Sequence, residues 1–176
     1  MMEYFLIRSC AVTPFEPIHM NRSLYTNLMT EEAFEEIPED IIYYYHFSGE
    51  IELPDVMFRP TFMTGDGLHD IISLYDESIQ WKNMQIFPDM QDFPREMAKR
   101  YWIPLLKEYR CLHKDTLVLP DKTTKKPILD RSRLRNTDIF RISGVSQNLV
   151  AVSLALAESI SRRELYGITF ERLEVR

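Results

Sequence analysis

Chemistry in this chain would have to come from a few scattered polar groups. The four histidines, His19, His46, His69 and His113, are far apart in sequence. His69 is flanked by Asp66 and Asp70, which at i, i+4 spacing share one helix face. Two carboxylates and an imidazole could hold a divalent cation. The same residues in a first helical turn are ordinary capping groups, and that reading is preferred. Cys111 and His113 would project to one side of a strand, as a nucleophile and its base require. No third residue orients them and no oxyanion site accompanies them. No HExxH, CxxC or nucleophile-elbow pattern occurs, and Gly65-Asp66-Gly67 reads as a helix-start turn, not a phosphate cradle. The expectation is therefore no catalytic residue, no metal site and no cofactor. Cys10 and Cys111, the two cysteines, read as reduced and structural.

Charge is more informative. The net charge is −6 over 176 residues. Residues 1–96 carry five basic and 18 acidic residues, a net of −13; residues 97–176 carry 16 basic and nine acidic, a net of +7. Either the halves interleave and neutralise each other, or an acidic face is offered to a basic partner. The densest block runs from Glu31 and Glu32 through Glu35 and Glu36 to Glu39 and Asp40. Phe34 and Ile37 would anchor it, leaving the carboxylates outside. Arg131, Arg133 and Arg135 alternate with Ser132, Leu134 and Asn136, so an extended backbone would align three guanidinium groups. With Arg141 they form the one basic series that could contact nucleic acid. The chain is acidic overall and its aromatics are not interleaved with these arginines, so no nucleic-acid partner is expected.

The elements that would position these groups follow from periodicity and capping. Glu3–Arg8 reads as a strand, Val12–Asn21 with its two prolines as a loop, and Leu24–Leu28 as a short strand or turn. Thr30 caps a short helix with Glu31 and Glu32 in its first turn. Ile41–Phe47 is an aromatic strand bounded by Ser48-Gly49. Val56–Met63 is an edge or bend. Leu68, Ile71, Ile72, Tyr75 and Ile79 fall on one helix face, and a strand follows at Met84–Phe87. The basic half opens with a strand at Tyr101–Arg110, bulged at Pro104. Thr116–Leu119 and Lys126–Leu129 read as a hairpin around a solvated tip.

The final stretch, Asp138–Val175, reads as strand Ile139–Ile142, a polar turn, a helix apolar on nearly all sides over Leu149–Ile160, and strand Ile168–Val175. A helix that apolar must be wrapped by the rest of the chain. Phe58–Phe87 follows the same strand, turn, helix, strand plan. The sequence thus predicts one α+β domain spanning 1–176. Its sheet is mixed and mostly antiparallel, with two strand–helix–strand modules packing helices on it. Residues 1–55 form an acidic, strand-rich N-terminal part and 56–176 the core.

The tail residues Asp138–Ile142, Asn148–Ser161 and Gly167–Leu173 resemble the C-terminal half of bacterial polymorphic-toxin immunity proteins. That family was first catalogued as a domain of unknown function. Phe62–Trp81, the Gln85–Pro88 segment and Tyr109–Asp115 are similar to its earlier segments, so the resemblance covers about residues 56–175. It implies a binding protein that neutralises a cognate toxin by direct contact, with no catalytic residue. An acidic protein suits a toxin with a basic surface. The expected contact residues are Glu31, Glu32, Glu35, Glu36, Glu39 and Asp40, with Tyr43, Tyr44 and Tyr45 nearby. The alternatives are a small enzyme using Cys111, His113 or His69, and a nucleic-acid or regulatory module using the basic half. The opening residues Met1–Val12 do not read as a signal peptide and no membrane-spanning run is present, so a cytoplasmic location is expected.

Overall fold

The computed structural model describes residues 3–10, 17–18, 29–45 and 52–176. His19, His46, the strand expected at 24–28 and the Ser48-Gly49 boundary lie outside the described residues. In chain order the elements are β1 (Tyr4–Ser9), β2 (Pro17–Ile18), α1 (Glu31–Glu35), β3 (Asp40–Tyr45), β4 (Val56–Met57), β5 (Met63–Gly65) and α2 (Asp66–Tyr75). Then come β6 (Gln80–Pro88), β7 (Lys99–Leu105), β8 (Glu108–Tyr109), β9 (Ile128–Leu129), β10 (Ile139–Ile142), β11 (Leu149–Ser153), α3 (Leu154–Ser161), β12 (Ile168–Arg172) and β13 (Glu174–Val175). The architecture is α+β, with mixed and mostly antiparallel sheets.

The strands form two main sheets instead of the one expected. A five-stranded sheet runs β12-β1-β11-β10-β8, a six-stranded sheet runs β2-β3-β6-β7-β5-β4, and β13 pairs with β9 beside them. The central apolar cluster joins the two. Leu68, Ile71 and Ile72 of α2 and Leu156, Ala157 and Ile160 of α3 pack with Ile7, Ile139, Val150 and Val152 of the five-stranded sheet and Val56 of the six-stranded one. Each sheet also buries much of its other face. Tyr4, Leu6, Phe140, Ile142 and Leu149 line one outer cluster, and Phe34, Tyr43, Met84, Ile86 and Tyr101 line the other.

Burial on both faces explains the main departure from the sequence reading. Leu149–Ser153 is a strand, and only Leu154–Ser161 is helix. Every residue of β11 is buried: Val150 and Val152 face the central cluster, Leu149 and Ala151 the outer one. A strand covered on both sides loses its alternation and merges with the apolar turns of the helix that follows. Ser153 marks the true start of α3, since its hydroxyl accepts from Leu156 N at 3.2 Å.

The repeated plan takes a sharper form. In each copy a strand runs straight into a helix, and the next strand returns parallel to the first with one antiparallel strand between them. The orders are β5-β7-β6 around α2 and β11-β1-β12 around α3. Both are split strand–helix–strand units. The equivalent of β5 is thus β11, not the expected Ile139–Ile142. Gly65 ends β5 and caps α2, and a side chain there would meet Asp55 Oδ1 at 2.8 Å and Lys99 Cε at 3.0 Å. The Asp55–Lys99 ion pair, 2.8 Å long, crosses directly above it, which is why the position is glycine.

The basic half differs from expectation as well. Thr116–Leu119 forms no strand. Leu129 of β9 bridges Leu112, while β9 pairs in parallel with the chain's last strand.

Candidate functional site

Thr30, at the entry of α1, accepts from Ala33 N at 3.2 Å, and the dipole favours Glu31 and Glu32 in the first turn. Phe34 and Ile37 are buried, as their anchoring role requires. Glu31, Glu32, Glu35, Glu36 and Glu39 are all exposed. Among the described residues none of the five is in an ion pair. Elsewhere the acidic half is paired across the molecule: Glu3 with Arg172, Asp55 with Lys99 at 2.8 Å, Asp66 with Arg100 at 2.9 Å and Asp76 with Lys107 at 3.2 Å. The two halves therefore interleave in space at these four pairs, and the glutamates of α1 and its exit form the densest group of carboxylates outside ion pairs among the described residues. Asp40 begins β3 immediately after them.

Tyr43 and Tyr45 do not share that surface. Tyr43 is 3% exposed and Tyr45 fully buried, with the Tyr45 hydroxyl donating to Met97 O at 3.0 Å. In a half-buried strand alternate residues take opposite faces. The side chains that β3 exposes are Ile42 and Tyr44, at 57% and 50%. The expected tyrosine contribution thus reduces to Tyr44, on the face of the sheet opposite α1.

That reverse face holds a group the sequence reading did not assemble. The strand register aligns Ile42, Gln85 and Arg100 in one row, Tyr44 and Phe87 in the next, and Asn83 with Trp102 behind. α2 covers only the Trp81 end. There His69 stacks on Trp102 with ring centroids 4.4 Å apart at 22°, and meets Trp81 edge-on at 4.6 Å. Both tryptophans of the chain thus converge on one histidine. His69 Nδ1 lies 2.9 Å from Asp70 Oδ1. Asp66 accepts from Trp102 Nε1 at 2.7 Å and from both Nε and Nη2 of Arg100. Burial opposes ionisation of Asp66, but the hydrogen bonds from Arg100 and Trp102 prevail and hold its carboxyl below the usual range. The carboxylate is committed to donors, and among the described residues no group of three acidic, histidine or cysteine side chains is arranged to hold a metal ion. Pairing of β6 with β7 was the missing information; 21 positions apart, Trp81 and Trp102 carry no local signal.

Cys111 is sealed in the outer cluster of the five-stranded sheet, and burial pushes its thiol up to about 11. A buried neutral thiol is a poor nucleophile. His113 contacts Asp115, at 3.5 Å, not the thiol. The arginine series is dispersed too. Arg131–Arg133 forms a 3₁₀ turn capped by Asp130, Arg133 pairs with Asp130 at 3.2 Å, and Arg135 lies 5.8 Å above the Tyr109 ring. Arg141 is buried. Its Nη2 donates to Met29 O at 2.6 Å and meets Glu108 at 2.5 Å. It ties β10 to the segment that leads into α1, so it is not part of a solvent-facing row with the exposed Arg131, Arg133 and Arg135.

No protein-family model matches the chain, and no curated protein does. No helix among the described residues is long and apolar enough to cross a membrane.

Proposed function

We propose that the chain is an immunity-type protein of the bacterial cytoplasm that neutralises a cognate toxin by direct binding. The acidic segment Glu31–Asp40 is the contact surface, and the toxin presents a basic one. The observation that carries this reading is the density of exposed carboxylates without ion pairs on α1 and its exit. Glu3, Asp55, Asp66 and Asp76 are matched by cations from the C-terminal half, whereas Glu31, Glu32, Glu35, Glu36 and Glu39 stand close together, exposed and, among the described residues, in no ion pair, on an anchored helix and its exit. Unscreened carboxylates on a rigid platform speed the capture of a basic partner and set its orientation. The resemblance of residues 56–175 to the toxin-immunity family supports the same reading, and no step of it requires a catalytic group.

The test is co-expression with a candidate toxin from a neighbouring gene. Wild-type protein and the Cys111→Ala, His113→Ala double variant should both restore growth. A protein with Glu31, Glu32, Glu35 and Glu36 replaced by lysine should not, although it folds. Rescue that depends on Cys111 or His113 would point to an enzyme instead.

A further inference from the structure

The open half of the six-stranded sheet ends in a groove of about 420 Å³ between the end of β6 and the loop that leads into β7. Phe87 and Phe93 line it with centroids 5.8 Å apart, and Tyr44 continues the aromatic row at 6.3 Å from Phe87. The polar lining is Gln85, Arg95, Lys99 and Arg100, and none of the described residues that line it is acidic. Lys99 is held by Asp55 and by Leu53 O, both at 2.8 Å. Arg100 commits Nε and Nη2 to Asp66 and leaves Nη1 without a hydrogen-bond partner among the described residues. Arg95 is exposed and in no ion pair among the described residues. The wall is fixed in place: Arg95–Met97 is a 3₁₀ turn, and its Met97 carbonyl accepts from buried Tyr45.

We infer that this groove is a second docking site, for an acidic peptide segment that carries a large apolar anchor. The anchor would pack against Phe87 and Phe93, and a neighbouring carboxylate would meet Arg95 and the outer edge of Arg100. Charge complementarity selects the occupant: a lining that is cationic and aromatic favours anionic, apolar segments and repels the basic partner proposed for α1. Exposed aromatic patches beside arginine are the usual centres of interfaces. The two surfaces are separate, because α1 packs on the face of the sheet that carries Tyr43, Ile86 and Tyr101, and the groove adjoins the reverse face. The inference therefore stands whether or not the toxin reading does.

The experiment titrates the full chain with a capped heptapeptide alternating aspartate and phenylalanine, and reads intrinsic tryptophan emission. Trp81 and Trp102 are the only tryptophans, and Trp102 lies 5.1 Å from the Arg100 guanidinium. Saturable binding is expected, weakened about tenfold or more by Arg95→Glu and by Phe93→Ala, and reduced by salt. The lysine counterpart of the peptide should not bind. Absence of saturable binding, equal binding of both peptides, or insensitivity to both substitutions overturns the proposal. Arg95-dependent binding of oligothymidine in preference to the peptide also overturns it, and would assign the groove to single-stranded nucleic acid.

Discussion

Lys82 reaches from β6 to α1, where its ammonium donates to the main-chain carbonyl of Glu35 at 3.2 Å and also to that of Ile37. It lies 5.2 Å from the centre of the Phe34 ring. A lysine beside five glutamates thus engages main-chain oxygens at the helix exit and pairs with none of their carboxylates. The cation serves the end of the helix where carbonyls are unsatisfied and the dipole is negative.

Lys82→Met keeps most of the aliphatic stem and removes the donor. It should destabilise the fold by about 1 kcal/mol and speed amide exchange in Glu31–Ile37. Urea unfolding and exchange by mass spectrometry check both. Unchanged exchange would mean that Phe34 and Ile37 alone hold α1.

Asp55 joins the two repeated units. Its carboxylate pairs with Lys99 and accepts from Tyr166 N at 2.7 Å, while its main-chain N–H donates to Tyr166 O at 2.8 Å. Asp55→Ala strands a partly buried ammonium and a main-chain donor, so a loss of about 2 to 3 kcal/mol is expected by denaturant titration. Asp55→Asn should recover part of it, because the Tyr166 bond survives.

Asp66 gives the fold an acid limit that tryptophan emission reports. Its folded pKa lies below the unfolded value, so its contribution to stability is fully present above the ordinary aspartate range, near pH ~4, and is lost as pH falls through the depressed value. Emission should change across that window in the wild type, because Trp102 Nε1 donates to this carboxylate. In Asp66→Asn that transition should be absent.

The cysteines separate by burial. Cys10 is exposed and Cys111 buried, with its thiol raised to about 11. A chromogenic disulfide reagent near pH ~8 should titrate one thiol quickly and the second only on unfolding, since the thiolate is the reactive form. Cys10→Ser should abolish the fast phase.

Elements with local signatures were legible in the sequence. Thr30 and its acidic first turn located α1, the spacing of Leu68, Ile71 and Ile72 located α2, and the aromatic run located β3. What was not legible depends on partners distant in sequence. β11 read as helix because both its faces are covered, and only Ser153 hinted at the boundary. Tyr43 and Tyr45 could not be told from Tyr44 until pairing with β6 set which side faces the core. Arg141 looked like part of a basic series, yet its strand lies between two others and turns it inward to Met29. The convergence of Trp81, Trp102 and His69 needed the β6–β7 ladder and the placement of α2 upon it.

The acidic contact surface is tested most directly by the affinity of the chain for its toxin as a function of salt, in the wild type and with Glu31, Glu32, Glu35 and Glu36 replaced by lysine. Wild-type affinity should fall steeply between ~50 and ~300 mM salt, and the variant should bind at least about 100-fold more weakly at low salt while keeping the wild-type circular dichroism spectrum. Equal affinity of the two proteins at low salt, or a wild-type affinity that ignores salt, would contradict it.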